Sequence, residues 1–210
     1  MAAASANNTY YRRGTNANTA SKTSTTWTYY AQVFCEPGSF VSRSWVLGHE
    51  VGHHNQTVGL RWAGMGEITN NIHSQYVRMK AGGSTLENDG NKYADAEKYL
   101  TTNGDPFSIF KNSTERDCRL VVFWQLYLYL HEVKKLDYYP DLYQHYRTTT
   151  SINASDGDNG IGYGMQQLDF VRQTCRIAKL NLLDFFSKRG FLTPVDPVQK
   201  ADDYGTKNIL

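Results

Sequence analysis

The chain has 210 residues, 40% of them hydrophobic, and a formal net charge of +2. That length is ample for one buried core, and so balanced a charge argues against a nucleic-acid partner or an anionic membrane surface. The longest apolar-rich run, Leu120 to Leu130, is too short and too polar at its flanks to span a bilayer, so no transmembrane segment is expected.

Residues 1–25, rich in Asn, Thr, Ser and Ala, read as a loosely ordered lead-in, and residues 26–210 as a single domain. The first six residues, MAAASA, have neither a basic start nor an apolar stretch and do not read as a signal peptide; Met1 can open a fragment of a longer protein. TWTYYAQVF, Thr26 to Phe34, is β-branched and aromatic and predicts a strand, followed by a turn at Glu36 to Ser39. A first helix is predicted over 42–57, with Ser42 or Ser44 as its cap. A second is predicted over 66–80, where Ile68, Ile72 and Tyr76 recur every four residues, and AGG ends it. STLE, Ser84 to Glu87, matches a capping box for a third helix, KYADAEKYL. Apolar residues on nearly all sides make Ser113 to Leu136 the central helix. A short helix starts at Pro140, Ser151 to Gly164 is a loop, and two helices ending near Gly190 precede a tail over 193–210. The expected fold class is α+β, predominantly helical, with a small N-terminal β portion. Three cysteines, Cys35, Cys118 and Cys175, form no CxxC pair, so a thiolate zinc site is not expected; they read as buried thiols, although one disulfide is compatible with an odd count.

Within the first helix, His49 to His53 spells HEVGH. Residues i and i+4 share a helix face, so two imidazoles there can reach one Zn²⁺. Glu50 is rotated off that axis and is placed to act on a water as general base. Trp45, Val46, Leu47 and Val51 predict that this helix is buried, yet Gly48 and Gly52 each cost roughly 1 kcal/mol relative to Ala. Such glycines permit the close approach of a backbone or a ligand. A catalytic zinc takes three protein ligands and keeps one open position. The candidate for the third is Glu67, 14 residues past His53 at the start of the next helix. Asn71 follows it by one turn and can accept the ring N–H of a ligating histidine. Other residues read more plainly: His54 points about 100° away from His53, His73 lies on a different face from Glu67, and His131 reads as a helix-end cation. Asp156 and Asp158 read as turn chemistry.

GHEVGHHNQ followed by WAGMGEITNNIHSQY resembles the enhancin-like, mucin-degrading metallopeptidases, a branch of the Glu-zincins. His49, Glu50, His53 and Glu67 match the family pattern, and Gln56, Trp62, Gly64, Thr69, Asn70 and Asn71 extend it. The tail DFVRQTCRIAKLNLLDFFSKRGFL also looks like the family's closing helices, so the resemblance covers roughly 30–192. Asn71 stands where many other Glu-zincins have Asp. The resemblance implies a zincin-like catalytic domain and a secreted or surface-attached zinc endopeptidase acting on glycoproteins, often mucin-like and O-glycosylated. It also implies a bacterial protein with further domains.

The expected chemistry is metal-assisted peptide hydrolysis with Glu50 as general base. A further donor should stabilise the oxyanion, and Tyr163, His131 and His145 are all candidates. The main alternative is a zinc-bearing module of the same family that binds glycan or peptide without cutting it; the intact Glu50 argues for the enzyme. A purely structural zinc site is a third reading.

Overall fold

The computed structural model describes residues 39–61, 65–88, 92–102, 113–149, 163–189 and 191. Helix α1 (Ser39–Asn55) carries the HEVGH stretch. A 3-10 turn, Val58–Leu60, leads to the short α2 (Gly66–Thr69), and α3 (Asn71–Lys80) follows directly. The residue between them, Asn70, keeps helical angles (φ −59°, ψ −32°), so α2 and α3 act as one rod. That rod stops where AGG predicts. Gly82 takes φ +77°, and the N–H groups of Gly82 and Gly83 donate to the carbonyls of Met79 (3.0 Å) and Arg78 (2.9 Å). Two carbonyls orphaned by the helix end are thereby satisfied.

The core is built on α5 (Ser113–Leu126). Leu120, Val121, Val122, Phe123 and Trp124 are all at most 1% exposed, as apolar residues on nearly all sides predict. α4 (Lys92–Thr102), α2 and α3 pack on α5, while α6 (Tyr138–Thr148) packs on α7 (Tyr163–Ala178). The rings of Phe123, Phe170, Phe186 and Phe191 lie 5.1–6.0 Å apart and join α5, α7, α8 (Leu183–Lys188) and the chain just beyond it. Cys118 and Cys175 are buried thiols; Cys35 lies outside the described residues.

Several expectations need correction. The expected α+β class with an N-terminal β portion is not what the structure has: the described residues are helical and contain no strand. Thr26 to Phe34, on which the strand rested, lies outside them. β-propensity reports a fit to a half-buried sheet surface, and the described core offers none because helix packs on helix. The capping box at Ser84 is also absent. Residues Leu86–Asn88 form a 3-10 turn, and Glu87 accepts the indole N–H of Trp124 at 2.6 Å. Burying that donor requires an acceptor, and the requirement outweighs a local cap. The central helix leaves the α form early, continuing as a π-helical segment, Tyr127–Val133. No described helix is long and apolar enough to cross a membrane.

The two glycines of α1 mark where α1 meets the α2–α3 rod. A Cβ on Gly48 would come within 2.5 Å of the Ser74 Cα, and one on Gly52 would overlap the Asn70 carbonyl. These neighbours are backbone and cannot rotate away. Gly52→Ala gains about 1 kcal/mol of helix propensity against an overpacking cost of up to about 3 kcal/mol. The expected net effect is a loss of about 2 kcal/mol, read as a lower denaturant midpoint.

Candidate metal centre

Helical spacing brings His49 and His53 together on α1, with their rings edge to face and centroids 4.6 Å apart. The two Nε2 atoms are 3.1 Å apart. Glu67, in the first turn of α2, places Oε2 at 3.3 Å from the His49 Nε2 and 3.4 Å from the His53 Nε2. Four ligands held tetrahedrally at ~2.0–2.1 Å from Zn²⁺ are ~3.3 Å from one another. The three side chains thus form a triangle with the edge lengths of a tetrahedral face. Two bare imidazole nitrogens at this distance repel unless a proton or a cation lies between them. Side-chain exposure rises from 21% at His49 to 34% at His53 and 53% at Glu67, so the triangle opens toward solvent.

The His49 tautomer follows from its neighbours. The Asn71 Nδ2 donates to the Glu67 carbonyl at 2.8 Å, which fixes the amide and turns Oδ1 toward His49. That oxygen lies 2.9 Å from the His49 Nδ1 and also accepts from the Ser74 hydroxyl at 2.8 Å. Nδ1 therefore carries the proton and Nε2 is bare on the side of the triangle.

Two contributors were not assigned from sequence. Asn70 is fully buried, and its Nδ2 is placed to donate to the His53 Nε2 at 3.0 Å; the His49 Nδ1, 3.1 Å away, is itself a donor and does not accept from it. Gln56 donates to the carbonyls of Met65 (3.2 Å) and Gly66 (3.0 Å) and to the Thr69 hydroxyl, tying the end of α1 to the start of α2. Thr69 in turn donates to the Leu60 carbonyl at 2.7 Å. The available signal was the run of buried-type amides and hydroxyls around HEVGH, which needs partners if it is to be buried.

Glu50 is half-buried on α1 beside His49. His54 is exposed and outside the cluster. His73 lies elsewhere on α3, against the Tyr143 ring at 5.4 Å; burial, and then Arg147, lower its pKa to about 4. His131 is not the helix-end cation expected. Burial lowers its pKa, and its Nε2 accepts the Tyr139 N–H at 3.0 Å, one of the N–H groups left over at the start of α6. Neither His131 nor His145 joins the cluster. The side chain of Tyr163, like Trp62, Gly64, Asp156 and Asp158, lies outside the described residues.

The described scaffold is helical and gathers His49, His53 and Glu67, two of them on one HExxH helix, into a group that could hold a metal ion. The family model for Peptidase M60, enhancin and enhancin-like, matches residues 7–190, and the chain belongs to that family. Among curated proteins no match was found. Among solved structures, the chain is similar to a functionally unknown conserved protein from Bacillus anthracis str. Ames, with 29% identity and a TM-score of 0.56 over 78% of this chain and 30% of that one. A metallopeptidase from Bacteroides thetaiotaomicron shares the fold, with 24% identity and a TM-score of 0.65 over 81% of this chain and 28% of that one. A metallopeptidase in complex with Tn antigen matches at 26% identity and a TM-score of 0.53, over 74% of this chain and 28% of that one. The chain thus spans less than a third of the length of these relatives.

His73 makes stability depend on pH. Its folded pKa, about 4, lies below the ordinary 6.5, so on acidification the unfolded chain takes up the proton first. The contribution is complete above pH 6.5 and drains as the pH falls toward 4; that interval is worth up to about 3 kcal/mol. His131 acts in the same direction. Denaturant titrations of the metal-free protein at pH 7 and pH 4.5 should show the loss, and a smaller one in His73→Asn.

Proposed function

We propose that this chain carries the zinc site of an endopeptidase that hydrolyses peptide bonds in glycoproteins. The observation behind this reading is the His49–His53–Glu67 triangle, with edges of 3.1, 3.3 and 3.4 Å. Its two nitrogens and one carboxylate oxygen are a donor set that suits Zn²⁺. When bound, the ion supplies Lewis acidity, which acidifies water and polarises a carbonyl.

The remaining work falls to the chain itself. Asn71 holds the His49 Nδ1 proton and, through the Glu67 carbonyl, steadies the turn that presents the carboxylate. Glu50 takes a proton from the attacking water and returns it to the leaving amine. Family membership supports peptide hydrolysis, and the relative in complex with Tn antigen supports a glycan-bearing substrate of the mucin-like, O-glycosylated kind. A secreted or cell-surface location suits such a substrate.

Glu50→Gln should retain zinc and lose about 10²–10⁴-fold in kcat on a mucin-like glycopeptide; full activity there would remove Glu50 from the mechanism. Glu67→Ala should lose zinc by metal analysis, and an undiminished content would exclude Glu67 as a ligand. Asn71→Ala, which releases the His49 ring, should weaken zinc affinity by about 10–100-fold in a chelator competition.

A further inference from the structure

Behind α3, on the side away from α1, lies a second cleft of about 600 Å³. Asn70 and Ser74 of the α2–α3 rod touch the glycines of α1, whereas Ile72, Tyr76 and Lys80, four residues apart on another face, line this cleft. His49, His53 and Glu67 are not among its walls. Its volume falls in the range of small-molecule sites.

Three features meet here. The first is the π-helical segment Tyr127–Val133, which supplies Tyr127, His131 and Glu132 to the wall. π-Helical turns are rare and concentrate at functional sites. The second is Lys135, which holds φ +57°, a conformation normally left to Gly or Asn, and lines the cleft. The third is a pair of buried polar atoms, the His73 Nδ1 and the Tyr143 hydroxyl, neither of which has a hydrogen-bond partner among the described residues. Tyr143 is only 7% exposed, and both residues line the cleft. An unpaired buried group of this kind is destabilising, and a ligand atom that pairs it relieves that cost.

The lining specifies the ligand's chemistry. Rings recur around the cleft: Tyr127 lies on His131 at 4.8 Å and 24°, and His131 on Tyr139 at 5.8 Å and 11°. Cations sit against rings, with the Lys80 Nζ 5.4 Å from the Tyr76 ring centre and the Arg147 guanidinium 5.7 Å from that of Tyr143. Glu132 is engaged by the Tyr127 hydroxyl at 2.8 Å and by Lys135 at 3.7 Å, so the described lining sets Lys80, Lys135 and Arg147 against Glu132 and Asp137, an excess of one positive charge. The exposed Tyr76 ring suits the apolar face of a sugar ring, lysine and arginine suit a carboxylate, and the unpaired Tyr143 hydroxyl and His73 Nδ1 suit ring hydroxyls. From this arrangement we propose that the cleft binds a carboxylated monosaccharide, independently of the metal centre.

The test is calorimetric titration of the full chain with N-acetylneuraminic acid, glucuronic acid, galactose and inorganic phosphate. At least one of the two acids should bind at least tenfold tighter than galactose, and phosphate should not compete. The double variant Lys80→Gln/Lys135→Gln changes two exposed side chains and should keep its fold by circular dichroism while losing at least tenfold in affinity for that acid. Tyr143→Phe should weaken binding by about fivefold. Glu67→Ala should leave binding unchanged, since it alters only the metal centre. Absence of binding by both acids would overturn the proposal. So would equal binding of galactose, full competition by phosphate, or acid binding that the lysine double variant leaves intact.

Discussion

The contact on which the rest of this structure depends is backbone against backbone. At Gly48 and Gly52, α1 has no side chains, and the chain at Ser74 and Asn70 fills the space a Cβ would take. No other residue type lets two helices meet this closely. The contact brings α1 against the α2–α3 rod at the depth where His49 and His53 reach across to Glu67. Helix propensity is sacrificed at two positions, and relative placement of the three side chains is what the sacrifice maintains.

Around that contact, polar groups settle one another. Gln56, just past α1, binds the Met65 and Gly66 carbonyls at the start of α2, and Thr69 binds the Leu60 carbonyl of the 3-10 turn between them. Asn71 reads the Glu67 carbonyl with its nitrogen and the His49 ring with its oxygen. A buried amide with both ends engaged has one orientation, and that orientation decides which histidine nitrogen is bare. The geometry of the triangle is therefore inherited from groups that are not themselves in it.

The other end of the molecule follows a different logic. Tyr138 and Tyr139 are buried with their hydroxyls paired, to Thr174 at 2.8 Å and to the Phe123 carbonyl at 2.7 Å, and burial pushes both phenols well above 10. These bonds dock α6 against α7 and α5. The abundance of tyrosine, 15 residues, is thus partly a packing device. His131 belongs to the same layer, where its unprotonated nitrogen serves the backbone of α6.

Local patterns determined the parts of this protein that local geometry governs. The i, i+4 histidines, the helix ends at Gly82 and Gly83, the buried run from Leu120 to Trp124 and the place of Glu67 one loop after His53 were all legible in the sequence, because each depends on residues within a few turns of one another. Tertiary structure decided the rest. Whether Gly52 faced a ligand or a backbone depended on Asn70, Glu87 was taken from its expected cap by Trp124, 37 residues away, and the His131 Nε2 was claimed as an acceptor by the Tyr139 N–H. An unpaired buried donor or a charge in an apolar layer costs more than a local preference. Where the two conflict, the identity of the distant neighbour prevails, and a single stretch of sequence does not contain it.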